Sequence, residues 1–211
     1  MKIARLHWSR YAVPFALLGG FAIAAGSARA ADAPAPIDLT TNGGFETAGD
    51  KDGWPALGWK GDEASRSQEQ VHGGEWSLKF PVNEPNPGKG VAVGQTADVS
   101  KLHPGDTIEI SAYVWSTIPL TRKHSIDLWL QLADVKWGNK LMSGVPLISQ
   151  NAVVGQWQPL SAKLTVPDDF AGNWHLRYAI RLVNNNEAAT PGSLYFDDFK
   201  ITVTPKSTPA Q

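Results

Sequence analysis

Residues 124–134 read HSIDLWLQLAD, and Ile126, Leu128, Leu130 and Leu132 fall at every second position. A period of two puts these side chains on one face of a β-strand, with Asp127, Trp129 and Gln131 on the other. The chain repeats the pattern. SLKFPV (77–82) alternates Leu78 and Phe80, and DTIEISAYVWS (106–116) alternates Ile108, Ile110, Ala112 and Val114. QPLSAKLTVP (158–167) places Leu160, Ala162, Leu164 and Val166 inside, and WHLRYAIRLV (174–183) does so with Leu176, Tyr178, Ile180 and Leu182. No segment of ten or more residues keeps a clean 3.6 period, so helix content is expected to be very low.

Turn clusters such as HPGD (103–106) and PDDFAGN (167–173) separate these stretches. Alternation that leaves one polar face implies antiparallel sheets packed in two layers. The expected fold is therefore all-β, a two-sheet antiparallel sandwich. The last stretch, SLYFDDFKITV (193–203), slips phase, because Phe196 and Phe199 are three apart where two would be regular. One extra residue at Asp197-Asp198 restores the phase, which is what a β-bulge does. Two adjacent carboxylates at such a bulge call for positive charge, which a bound cation can supply.

The outward residues carry the functional expectation. Glu109, Ser111, Tyr113 and Trp115 come from one stretch, Asp127, Trp129 and Gln131 from the next, and His175, Arg177, Ala179 and Arg181 from a third. Taken as one continuous sheet face, they combine rings with planar hydrogen-bonding groups. An indole offers a flat apolar surface to the CH face of a pyranose, and Gln, Asp and Arg read hydroxyls. The candidate carbohydrate-binding residues are thus Tyr113, Trp115, Asp127, Trp129, Gln131, Arg177 and Arg181. Cover of the same face by the long 134–157 loop, or by a second copy of the chain, is the competing expectation. Trp157 is expected to be structural, Trp76, in phase with Leu78 and Phe80, to lie in the core, and Trp54, Trp59 and Trp137 to lie in loops.

Before residue 31 the sequence is of another kind. Lys2, Arg5 and Arg10 precede an apolar stretch from about Tyr11 to Ala25, and Ala28-Arg29-Ala30 follows. This order reads as a signal peptide over 1–30, cleaved after Ala30, and gives a secreted or periplasmic location. The apolar run falls short of the ~20 residues of a membrane-spanning helix. Residues 31–39 read as a linker, 40–203 as the sandwich and 204–211 as a polar tail. Cleavage removes four of the 19 Lys and Arg and none of the 20 Asp and Glu, leaving a formal charge of −5. That argues against nucleic acid as a partner. The chain has no cysteine, so no disulfide framework is available.

Five segments in order, TNGGFETA (41–48), VHGGEWSLKF (71–80), GDTIEISAYVW (105–115), GQWQPLSAKLTVP (155–167) and SLYFDDFKI (193–201), carry a resemblance. Together they resemble the jelly-roll carbohydrate-binding modules, of galactose-binding-like β-sandwich type, attached to bacterial xylanases and glucanases. The resemblance implies a jelly-roll sandwich that binds a polysaccharide or oligosaccharide without catalysing its cleavage. It also implies a structural calcium ion held by Glu46 and Asp197, with backbone carbonyls near Gly44 and around Gly73–Trp76. The alternative for these two residues is that Glu46 caps a turn and Asp197 accepts backbone hydrogen bonds. Two other function classes stay open: a uronate lyase using Tyr113, His175, Arg177, Arg181 and Gln131 on the same face, and a structural or adhesive envelope protein. Glu109 and Asp127 could flank a glycosidic bond only if their strands are neighbours. No nucleophile triad, phosphate loop or zinc spacing is present.

Overall fold

The computed structural model describes residues 34–48, 64–82, 91–119, 124–134, 140–147, 153–184 and 191–207. The expected signal peptide, the loop residues Trp54, Trp59 and Trp137, and the last residues of the expected tail lie outside these. Ten strands run in chain order: β1 (Ile37–Asp38), β2 (Ser65–Ser67), β3 (Ser77–Val82), β4 (Val91–Ala97), β5 (Thr107–Ser116), β6 (His124–Ala133), β7 (Lys140–Leu147), β8 (Gln158–Thr165), β9 (His175–Asn184) and β10 (Gly192–Thr204). Among the described residues there is no helix.

The strands form two antiparallel sheets. One has the order β2-β3-β10-β5-β8, with β1 also on β10, and the other has the order β4-β9-β6-β7. We call them the first and second sheets. Their inner faces are the alternating residues expected from the sequence. Ile108, Ile110, Leu128, Leu130, Leu132, Leu176, Ile180, Leu194 and Ile201 are all fully buried. Each such side chain contributes roughly 1.5–3 kcal/mol relative to an exposed one. Phe80 meets Phe196 edge to face at 5.1 Å, and Tyr178 stacks on Phe199 at 5.2 Å. Tyr178 brings a hydroxyl into this core and donates it to Gln95 Oε1 at 2.6 Å. Burial pushes its phenol up to about 12.

The bulge in β10 is where the phase slip places it. Asp197 stands opposite Tyr113 and Lys200 opposite Ser111, so β10 advances three residues while β5 advances two. Asp198 takes the strain with φ +48°, in the left-handed region that Asp tolerates better than most residues.

Several boundaries differ from the sequence reading. Ile37 and Asp38, assigned to the linker, pair with Val203 and Thr202. The expected 134–157 loop contains β7, and β4 was not foreseen. VAVGQTA and KLMSGVPL carry Gly94, Gly144 and Pro146, residues that weaken a strand signal and belong on edges. These two strands are indeed the edges of the second sheet.

Candidate functional site

The sequence reading joined β5, β6 and β9 into one face, and the fold separates them. β5 belongs to the first sheet, whereas β6 and β9 pair in the second. Tyr113 and Trp115 therefore lie on the opposite outer face from Asp127, Trp129, Gln131, Arg177 and Arg181. The error has a simple cause. Alternation fixes which side of a strand faces the core, but not which sheet the strand joins. Glu109 and Asp127 are likewise divided between the sheets, and Glu109 pairs with Lys163 at 3.1 Å. Tyr113 cannot act with His175 and Arg177 across the sandwich, so the constellation expected of a lyase is not assembled.

On the second sheet the register builds three parallel rows across the strands. Trp129 stands opposite Ala179 on β9 and Gly144 on β7, and Ala179 stands opposite Gly94 on β4. The central row is thus Gly94, Ala179, Trp129, Gly144. Its only large side chain is an indole, which is half-buried, while Ala179 is 1% exposed. One neighbouring row is Thr96, Arg177, Gln131, Met142, and the other is Ala92, Arg181, Asp127, Pro146. Arg181 stands directly opposite Asp127 in the ladder. Glycine inside a strand often marks close approach of a ligand, and here glycines stand at both ends of the tryptophan row.

Gln131 is the unusual member. Its side chain is on the outer face, since Leu130 and Leu132 fill the core, yet it is only 4% exposed. Among the described residues its amide has no hydrogen-bond partner. An unmade bond on a buried polar group costs about 1–3 kcal/mol, and such groups concentrate at functional sites.

The outer face of the first sheet holds a different cluster. His72 stacks on Tyr113 at 3.7 Å and meets Trp157 edge-on at 5.4 Å, and Trp157 lies 5.9 Å from Trp115. His72 Nδ1 is 2.6 Å from Asp198 Oδ2. These rings pack on one another and hold the 68–76 and 153–157 segments against the sheet. Trp157 is structural in this sense, but outside the inter-sheet core. Trp76, expected in the core, is half-buried beneath the Arg66 guanidinium, 4.0 Å from its ring. Nearby, Lys79 and Tyr195 both donate to Glu69, which holds its carboxyl below the usual carboxylate range.

Glu46 and Asp197 do come together. A Cβ on Gly44 would lie 3.8 Å from Glu46 Oε1 and 4.0 Å from Asp197 Oδ1. Glu46 Oε1 accepts from the Glu75 and Trp76 amides at 3.0 and 3.1 Å. Asp197 Oδ2 accepts from His72 and Gly73 at 2.8 and 3.0 Å, and its Oδ1 accepts from Asp198 at 2.7 Å. The 72–76 segment thus turns N–H groups, not carbonyls, to the two carboxylates. Gly74, with φ +70°, must stay glycine, since a Cβ would fall 2.1 Å from Glu46 Oε1. Asp197 is fully buried, and burial raises its carboxyl above the ordinary value. Among the described residues no three His, Cys, Asp or Glu side chains form a metal-binding group. Glu46 and Asp197 would supply two of the roughly six to eight oxygen ligands that calcium takes, and Glu46 Oε2 accepts no hydrogen bond among the described residues.

Neither a protein-family model nor a curated protein matches the sequence. Solved structures do match the fold. A Family 16 carbohydrate-binding module is 22% identical, with 77% of this chain and 98% of that one covered and a TM-score of 0.53. The CBM22-1 xylan-binding domain from Paenibacillus barcinonensis Xyn10C is 19% identical over 83% of this chain and 99% of that one, with a TM-score of 0.50. A cyclase from Fischerella sp. TAU is 12% identical over 82% of this chain and all of that one (100%), with a TM-score of 0.54.

Proposed function

We propose that this chain is an exported, non-catalytic β-sandwich that binds a carbohydrate on the outer face of its second sheet, with Trp129 as the stacking platform. The observation that carries this reading is the row Gly94, Ala179, Trp129, Gly144, in which a half-buried indole is the tallest group. A pyranose laid on that ring would turn its edge to the polar rows on either side. The likeness in fold to a carbohydrate-binding module and to a xylan-binding domain supports the reading. So does the position of Gln131, a buried amide whose hydrogen bonds a ligand would complete. Among the described residues no helix is long and apolar enough to cross a membrane.

A calcium ion bridging Glu46 and Asp197 belongs to this proposal as a structural element. It would supply positive charge to a buried carboxylate whose partners among the described residues are N–H donors. Screening the protein against a glycan array, with Trp129→Ala and Trp115→Ala alongside, tests the binding reading. Loss of glycan binding in the first variant alone is the expected result. Equal loss in both, or no binding by the parent chain, overturns it.

A structural or adhesive role is favoured by a separate observation. Val153 and Val154 are 46% and 45% exposed, next to Gly155, whose Cβ would lie 3.9 Å from Trp115. Self-association lost in Val154→Glu, with no glycan bound, would support that role instead.

A further inference from the structure

We infer that Arg66 is a positioning residue for the cation site, holding Glu46 by its backbone, so that calcium affinity depends on a side chain bonded to carbonyls and not to the carboxylates; this rests on the calcium reading above. Arg66 lies on the short edge strand β2, opposite Leu78 of β3. Its Nε donates to the Phe45 carbonyl at 2.6 Å, and its Nη2 donates to the Glu46 carbonyl at 2.7 Å. A guanidinium is a rigid planar fork, so bonds to two successive carbonyls fix the direction of both peptide planes.

The backbone around Glu46 requires such a hold. Phe45, the residue before it, has φ +56°, a value at which a bulky side chain is a genuine outlier. Its ring is 2% exposed and packs in the core. Asp197 also has a left-handed neighbour, Asp198 at φ +48°. Strained backbone persists only where its surroundings over-determine it, and it gathers at ligand clamps. Around Glu46 those surroundings are two sets of bonds. Asn42 Nδ2 donates to the Thr47 carbonyl and Asn42 Oδ1 accepts from the Thr47 amide, both at 3.0 Å, while the Phe45 amide donates to the Asn42 carbonyl at 3.0 Å. These bonds close the 42–47 turn on itself, and Arg66 ties it to the first sheet.

Trp76 completes a cycle. The Arg66 guanidinium lies 4.0 Å from the centre of its ring, and its amide donates to Glu46 Oε1 at 3.1 Å. Arg66 thus grips the backbone of Glu46, and the residue stacked on Arg66 grips the carboxylate. Loss of the guanidinium loosens both ends of Glu46. Groups that orient a metal ligand in this way set affinity although they touch no metal, and their removal typically costs tenfold or more.

Calorimetric titration of the chelator-stripped full chain with calcium chloride tests this in the parent, Arg66→Ala and Arg66→Lys. Asp106→Ala serves as the control, because Asp106 anchors the segment after β10 and not the 42–47 turn. The expected result is calcium binding about tenfold weaker in Arg66→Ala. Arg66→Lys keeps the charge and loses the fork, so it should also bind more weakly than the parent. Asp106→Ala should melt at a lower temperature and bind calcium as the parent does. The rise in melting temperature that calcium brings should shrink in both Arg66 variants, with circular dichroism confirming that each is folded. Calcium bound by both Arg66 variants as tightly as by the parent, or weakened equally in Asp106→Ala, overturns the inference and leaves the calcium reading standing. Absence of calcium binding by the parent chain overturns both.

Discussion

Trp129 and Tyr113 stand on opposite outer faces of the sandwich, one on β6 of the second sheet and the other on β5 of the first. Both are outward aromatic residues of alternating strands, but their surroundings differ. Tyr113 has a histidine stacked on its ring, whereas Trp129 has only small residues beside it in its row. Binding should follow this difference. Trp129→Ala should weaken glycan affinity about tenfold or more, roughly 1.4 kcal/mol. Tyr113→Ala should leave affinity unchanged and lower the melting temperature, measured by titration and calorimetry on the same samples.

Gly144 should matter for the room it leaves. Gly144→Val adds a β-branched side chain to edge strand β7, opposite Trp129. A strand interior accepts valine better than glycine, so stability should hold or rise slightly. Affinity should fall at least several-fold. A variant that is stable and binds normally would show that the ligand does not lie along this row.

Asp106 anchors the turn before β5 and the segment after β10. Its Oδ2 accepts from the His103 amide at 2.8 Å and its Oδ1 from the Lys206 amide at 2.9 Å, and the residue is buried. Asp106→Ala leaves both donors without this partner and should cost about 1–3 kcal/mol. Denaturant unfolding should show the loss with glycan affinity unchanged.

Tyr178 predicts an alkaline limit. Its phenol has an ordinary value of 10.0 and is pushed up to about 12 by burial. A folded value above the unfolded one means that the associated stability is complete below pH 10 and is lost as pH rises toward 12. The loss should reach roughly 2–3 kcal/mol, at 1.36 kcal/mol per pH unit. Tyr178→Phe should flatten this part of the stability profile, at a cost of about 1 kcal/mol at neutral pH for the bond to Gln95.

Calcium should raise the melting temperature, since a ligand of the native state alone stabilises it. Asp197 is held above its ordinary value by burial. In the metal-free protein its contribution is therefore present at low pH and lost as pH rises through the raised value. Calcium requires the carboxylate, so its stabilising effect should vanish on acidification and be absent in Asp197→Asn. A melting temperature indifferent to calcium and chelator at pH 7 would remove the ion from the proposal.

Much of the core was legible because burial and strand period coincide in β5, β6, β8 and β9. The bulge was legible because a phase slip of one residue leaves a mark in a two-residue pattern. Sheet membership was not, since Tyr113 and Trp129 have the same local pattern and differ only in long-range pairing. The strands β4 and β7 were obscured by Gly94, Gly144 and Pro146, which weaken a strand signal. That Gln131 has no hydrogen-bond partner among the described residues had no local signal, because an outward Gln in a strand ordinarily meets water. The N–H groups around Glu46 and Asp197 were equally hidden, since sequence does not show which way a loop turns its peptide planes.

The pairing of Ile37 with Val203 joins the first and last strands side by side in antiparallel register. Tension applied between these two ends would load their hydrogen bonds one after another, as in opening a zipper, rather than all together in shear. Peeling of β1 should then come first under force, at low load, with the bonds of Leu39, Thr40 and Gly43 to β10 the next barrier behind it.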